Sequence, residues 1–235
     1  MKPTVEIVLS PLLLPLTNLK GKTVVIIDIL RATSTICAAL DNGANSITPV
    51  ISVEEALSYQ SGPYLVAGER NGEKAEGFDF GNSPLEYSPE VITGKDVVLT
   101  TTNGTKCIHA AKDAEEILIG SFFNLSTVVQ HLVSSNQSVV LFCAGWKDQV
   151  NLEDTLYAGY IAKALSDSHE WESDPVEIAL DLVENAEDDP TEYLTRASHA
   201  KRFNRLGNNI DLGVCMQFDA HPVLVKYQNN TLVSA

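Results

Sequence analysis

The chain is punctuated by short, unbroken apolar runs, each closed by small or polar residues and followed by a longer periodic stretch. Thr23–Ile27, TVVII, is the clearest. Its β-branched residues with no polar alternation predict a strand buried on both faces. Asp28 follows at once, then Arg31, Thr33 and Ser34, and then an apolar helical pattern over 33–42 that Gly43 is placed to end. Comparable runs predict strands at 5–9, 46–50, 64–67, 97–100, 116–120 and 138–143. Ser52 and Glu55 have capping-box spacing and predict a helix to about residue 61. Further helices are expected from the turn after residue 100 to about 111, over 125–133 and over 152–165.

Strands alternating with helices predict an α/β protein, a three-layer α/β/α arrangement around a mainly parallel or mixed sheet. Residues 1–235 are expected to form a single compact domain. The stretch 174–207 reads as helical, with a solvated acidic turn at 184–189, and 210–218 and 223–233 read as extended, the latter a hairpin turning at Asn229 and Asn230. Between the strands at 64–67 and 97–100, 68–89 is a long loop rich in Gly, Asn and charge, of a length usually tied to function. GKTVVIIDILRAT at Gly21 is echoed by GKDVVLTTTNGTK at Gly94. The echo allows two similar strand–turn–helix halves, about 1–92 and 93–235, with two polar turns facing one crevice.

Charge narrows the function. Sixteen Lys and Arg stand against 31 Asp and Glu, a formal net charge of −15. Nucleic acid and anionic membranes, which need a basic face, are disfavoured as partners. If the ligand is an anion, arginines, backbone N–H groups or a bound divalent cation must reverse the sign locally. The longest apolar run is too short to cross a bilayer and contains Asp28. The opening MKPTVEIVL carries no signal-peptide pattern, so a soluble, cytoplasmic protein is expected. Cys37, Cys107, Cys143 and Cys215 are unpaired in spacing and read as small buried hydrophobes.

Several residue groups carry chemistry. Asp28 at a strand end suits a metal ligand, nucleophile or base, and otherwise a helix cap; Arg31 suits a bidentate anion clamp, and otherwise an ion pair. Thr101, Thr102, Asn103, Gly104 and Thr105 form a polar strand-to-helix turn able to cradle phosphate oxygens. The long loop offers Glu69, Arg70, Asn71, Asp79 and Asn82, and Glu153 and Asp154 start the helix after the 138–143 strand. Such hard oxygen ligands suit Mg²⁺. The five histidines show no paired metal-ligand spacing. Standard phosphate motifs are absent: there is no Walker A loop, Leu30 stands where a haloacid-dehalogenase-type phosphatase needs its second Asp, and no Cys has an Arg six residues on.

The motifs DILRATS (28–34), AGERNG (67–72), GFDFGNSP (77–84), TTNGT (101–105), CAG (143–145), EDTLYAG (153–159), SHAKRFNRLG (198–207) and CMQFD (215–219) occur in that order. Together they resemble the 2-phosphosulfolactate phosphatase family over nearly the whole chain. The resemblance implies a Mg²⁺-dependent phosphatase that converts 2-phosphosulfolactate to sulfolactate and phosphate, in coenzyme M biosynthesis. Ile29 stands where Val is expected in the first motif. On chemistry and position, Asp28, Arg31, Glu69 and Asp154 are expected to be catalytic, with Asp28, Glu69 and Asp154 as metal ligands. Ser34, Arg70, Asn82, Thr101, Thr102, Asn103, Gly104 and Thr105 are expected to bind substrate. The partner is a small anionic phosphoester, and a homodimer is compatible with the chain. The competing readings are a phosphoester isomerase or lyase on the same scaffold and a non-catalytic organic-anion-binding protein.

Overall fold

In the computed structural model, residues 2–206 and 210–235 are described, side chains at 203–206 aside. The strands are β1 (Val5–Val8), β2 (Thr23–Ile27), β3 (Ser46–Pro49), β4 (Tyr64–Arg70), β5 (Glu73–Lys74), β6 (Asp96–Thr100), β7 (Glu116–Gly120), β8 (Val139–Cys143), β9 (Val225–Gln228) and β10 (Thr231–Ser234). They form one mixed sheet of ten, in the order β1-β8-β2-β7-β9-β10-β3-β6-β4-β5. Strands from both ends of the chain interleave in it. β1, β8, β2 and β7 are parallel, as are β3, β6 and β4. The hairpin β9–β10 is antiparallel to both neighbours and joins the two parallel blocks. Its turn puts Asn229 and Asn230 at φ 51° and 65°, the left-handed pair that a two-residue type I′ turn requires.

The helices are α1 (Ala32–Asp41), α2 (Val53–Ser58), α3 (Pro89–Ile92), α4 (Gly104–Ala110), α5 (Leu125–Ser135), α6 (Leu152–Leu165), α7 (Asp174–Asn185), α8 (Pro190–Leu194), α9 (Ser198–Leu206) and α10 (Ile210–Cys215). Alternate residues of β2 serve two cores. Val25 and Ile27 pack with residues of α5, α6 and α7 on one face. Val24 and Ile26 pack on the other with Ile36 of α1, Cys107 and Ile108 of α4, and also with Val97 and Leu99 of β6. Since faces of both parallel blocks share that second core, the sheet curls around α1 and α4. Every residue of α1 from Ala32 to Leu40 is buried; its small and apolar residues pack into the core, and the hydroxyls of Thr33, Ser34 and Thr35 are hydrogen-bonded. The outer face of the β3-β6-β4 block is covered by α2 and Phe78. The result is a three-layer α/β arrangement in which α1 is enclosed. All four cysteines are buried free thiols, and burial pushes those of Cys37 and Cys215 up to about 12.

Two expectations change. Residues 210–218 read as extended because Ile210, Leu212 and Val214 alternate, but 210–215 form α10. Leu212 and Cys215, three apart, face the core from one side of that helix. The loop expected from residue 68 begins later, because β4 runs beside β6 to Gly68 and on to Arg70, where Glu69 and Arg70 pair with β5. Gly68 permits this: it sits at φ +140°, and a Cβ there would lie 1.9 Å from the Thr100 carbonyl oxygen. Glu69 and Arg70 are therefore held on a strand and not in the loop.

Candidate functional site

The site forms where β2, β6 and β8 end. Ile27 and Gly120 are the last paired residues of β2 and β7, and Asp28 leaves the sheet immediately afterwards. The backbone folds back at once: the Thr33 hydroxyl accepts from the Asp28 N–H at 3.1 Å, and the Thr33 N–H donates to the Asp28 carbonyl at 3.0 Å. The second polar turn meets the first. A Cβ on Gly104 would fall 2.7 Å from the Ala32 Cβ and 2.8 Å from Asp28 Oδ2. Only glycine allows α4 to begin so close to the carboxylate.

Asp28 is buried, and desolvation raises its carboxyl to about 6. His199 pulls it down, whereas the carboxylates of Glu69 and Glu153 push it further up. Glu69 is fixed from both ends: Oε1 accepts from the Thr102 N–H at 2.7 Å, and Oε2 from the Gly72 N–H at 2.6 Å. Glu153 is fully buried, with Oε1 at 2.8 Å from His199 Nδ1 and Oε2 without a hydrogen-bond partner. Asp154 is also fully buried. Its Oδ1 accepts from the Ile29 N–H at 2.9 Å, and its Oδ2 from the Gly145 N–H and the Asn151 amide, both at 3.0 Å. Those bonds tie the exits of β2 and β8 to the start of α6. Burial, then the charges of Asp28 and Glu153, raise the Asp154 carboxyl well above the usual carboxylate range.

The basic groups divide. Arg31 is buried, forms an ion pair with Asp211 of α10, and donates to the Gly72 carbonyl at 3.0 Å. Arg70 is turned away from the centre and holds the ends of three segments, donating to the carbonyls of Glu69 and Ile51 and to the Thr100 hydroxyl at 2.7, 3.0 and 2.8 Å. In TTNGT the side chains of Thr101 and Thr105 cap one another's N–H groups at 3.1 Å. Asn103 donates to the Gly145 carbonyl, and the Thr102 hydroxyl is buried with no partner. Ser34 donates to the Ile29 carbonyl at 2.9 Å, a contact internal to the turn. Asn82 is buried; its carbonyl accepts from the Thr35 hydroxyl, and its Oδ1 has no partner.

Thus Asp28, Glu69, Thr102 and Gly104 gather at one point, with Asp154 bracing it. The side chains of Ser34, Arg70, Thr101 and Thr105 are used in holding the turns. Sequence reasoning weighs His199 without placing it in the site, and does not single out Asp211 or the clefts on either side. One cleft of about 300 Å³ is lined by Thr102, Asn103, Lys106 and Lys147, and the other, of about 470 Å³, by Arg31, Lys74, Asn82 and Asp211. α9 closes over the centre, its His199 ring 4.8 Å from that of Trp146 and its Arg202 guanidinium 4.0 Å from the same ring. The one trace of this in the sequence is the motif SHAKRFNRLG, whose Gly207 lies outside the described residues.

Buried carboxylates crowded at strand ends, between clefts that carry Lys and Arg, define an α/β enzyme built to handle a small anion. Residues 8–230 match the sequence profile described as 2-phosphosulpholactate phosphatase. Relatives named probable 2-phosphosulfolactate phosphatase include proteins of Thermotoga petrophila, 42% identical, and Caldanaerobacter subterraneus subsp. tengcongensis, 39% identical. The alignments cover 93% of this chain and 95% of the relative in the first case, and 90% of each in the second. A protein of the same name from Clostridium acetobutylicum is 37% identical, over 92% of this chain and 94% of its own length. The chain belongs to the 2-phosphosulfolactate phosphatase family, a family of phosphoric monoester hydrolases.

Proposed function

We propose that the protein is a Mg²⁺-dependent phosphatase that hydrolyses a phosphorylated 2-hydroxy acid, 2-phosphosulfolactate first among them, to the hydroxy acid and phosphate. The observation that carries this reading is the buried Asp28 carboxylate at the β2 exit, with the carboxylates of Glu69 and Glu153 in electrostatic reach. Such crowding of negative charge is what a hard divalent cation relieves. Among the described residues no three His, Cys, Asp or Glu side chains form a metal-holding group. Mg²⁺ does not need one, since it commonly takes one or two carboxylates, with water and substrate phosphate completing the shell.

The donor set fits. Asp28 and Glu153 would hold the ion, because Glu153 Oε2 is buried without a partner, whereas the oxygens of Glu69 and Asp154 already accept N–H groups. Bound there, the cation would offset phosphate charge and act as a Lewis acid. The chain itself supplies the rest. The Thr102 hydroxyl, buried without a partner, would donate to a phosphoryl oxygen, Lys106 and Lys147 outweigh Asp148 on the wall of the adjoining cleft, and Asp28 would orient the reacting group. Glu69 and Asp154 hold those parts rigid before substrate arrives, the condition under which fixed dipoles are most effective. With the reading comes a cytoplasmic role in supplying sulfolactate toward coenzyme M, which rests on the family resemblance.

Phosphate release from 2-phosphosulfolactate and 2-phospholactate, with Mg²⁺ and after chelation, tests the proposal. Release that needs Mg²⁺ and stops with chelator is expected. No release with any divalent cation would refute the phosphatase reading, and release indifferent to chelator would refute the metal.

A further inference from the structure

The larger cleft has features that hydrolysis of a phosphate does not require. It lies between the start of α1, the 81–86 loop and α10. Asp211 reaches into it from α10. That carboxylate pairs with Arg31 and accepts from the Ser83 hydroxyl at 2.6 Å. Both partners of this ion pair are over nine-tenths buried. A carboxylate with a guanidinium on one side and a hydroxyl on the other is the arrangement in which an organic acid is recognised.

A second observation points to a ligand independently. Asn82 is 5% exposed and lines the same cleft, yet its Oδ1 is buried without a hydrogen-bond partner. A half-turn of that amide would present its NH₂ group instead. The Asn82 backbone is pinned to α1 through Thr35, so the amide is held in place rather than adrift. On the wall the charges of Lys74 and its neighbour Glu73 offset one another, and the carboxylate of Glu86 is occupied by the N–H groups of Gly81 and Ser83. The cleft communicates with the reaction centre through one residue: the Gly72 carbonyl accepts from Arg31, and the Gly72 N–H donates to Glu69. An anion bound here sits one residue's width from the carboxylate that positions Thr102.

We infer that this cleft is the subsite for the non-reacting acid group of the substrate, a carboxylate or sulfonate, which binds Arg31, Ser83 and Asn82 by taking the place of Asp211. The inference rests on the phosphatase reading for the identity of the substrate, but not for the existence of the subsite. Asp211 is then a built-in stand-in that keeps the buried guanidinium paired until substrate arrives, since an unpaired buried charge is costly. An ester without a second anionic group cannot displace it, so the exchange gives selectivity for phosphorylated acids.

Calorimetric titration with sulfolactate, the dephosphorylated acid, tests the subsite without turnover. Asn82→Ala is expected to weaken binding roughly tenfold, the value of a charge-assisted hydrogen bond. Asp211→Asn is expected to tighten it, because it removes the competing charge while keeping a side chain of the same shape. With phosphate release as the readout, the preference for 2-phospholactate over phenyl phosphate should fall about tenfold in Asn82→Ala. Circular dichroism of each variant establishes that it is folded, and the opposite directions of the two variants cannot both arise from misfolding. Sulfolactate binding that is weaker in Asp211→Asn, or unmoved in Asn82→Ala, overturns the subsite. Equal loss on both esters does so too. If no ester is hydrolysed but binding responds as described, the subsite stands and the phosphatase reading falls.

Discussion

Asp28→Asn separates the cost of the candidate catalytic group from its use. In the metal-free protein the Asp28 carboxyl sits at about 6 instead of its ordinary 3.8, chiefly because burial disfavours its charge. The sign follows from linkage. Below pH 3.8 the group is protonated in both folded and unfolded chains, and it carries no penalty. As pH rises from 4 to 6 the unfolded chain loses that proton first, so folding stability declines. Above about 6 the full penalty is present, on the order of 3 kcal/mol for a shift of this size. Asn has the shape of the neutral acid and escapes it. The variant should therefore exceed wild type by only about 1 kcal/mol near pH 4.5 and by about 3 kcal/mol at pH 7.5, with chelator present. Urea unfolding at both pH values measures this. Phosphate release should be lost in the same variant, so that a gain in stability accompanies a loss of function, as buried functional charges generally produce. Adding Mg²⁺ should stabilise wild type more than the variant. A variant that is less stable than wild type at pH 7.5, or that still turns over, would refute the reasoning.

Other consequences are more local. Gly104→Ala places a methyl group 2.8 Å from Asp28 Oδ2 and should lower phosphate release about 100-fold by displacing it, with the near-native circular dichroism of a folded protein. Asp154→Asn puts NH₂ where an acceptor serves backbone N–H groups, and is expected to lower stability in urea by about 2 to 4 kcal/mol, as loss of a buried network does. Arg70→Lys, which cannot reach the Glu69 and Ile51 carbonyls and the Thr100 hydroxyl together, should reduce stability while shifting KM by less than about threefold; a large rise in KM would restore Arg70 to substrate binding.

What the sequence discloses and what it withholds divide along physical lines. The strand Thr23–Ile27 is legible because five consecutive β-branched residues, four of them apolar, have no solvent-facing alternative. Asp28 is legible because a charge directly after such a run has to lie where the sheet ends. Gly104 and Gly68 could be noticed as glycines, but their purpose could not be read: one admits Asp28 and the other admits Thr100, contacts between distant segments. The tail is the extreme case. His199 meets Glu153 across 46 residues, and Asp211 meets Arg31 across 180. Neither pairing leaves a local pattern, and the alternation of Ile210, Leu212 and Val214 points to a strand although tertiary packing selects a helix.

The echo between Gly21 and Gly94 has a structural counterpart that explains how an acidic protein binds an anion. Because the sheet curls, the turns after β2 and β6 meet over α1 and α4 instead of facing apart. Their meeting concentrates Asp28 and Glu69 at the centre and leaves the basic groups outside it, Lys106 and Lys147 beside Asp148 on one side and Arg31 and Lys74 beside Glu73, Glu86 and Asp211 on the other. A net charge of −15 repels anions at a distance, but screening limits that field to about 8 Å at physiological salt. Within that range the two flanking clefts decide what enters. On the proposed subsite, a substrate with a single phosphate would meet one of them, whereas a phosphorylated acid would engage both and span the carboxylates between. Such an arrangement would favour molecules with two separated anionic groups over inorganic phosphate, which could satisfy one cleft only.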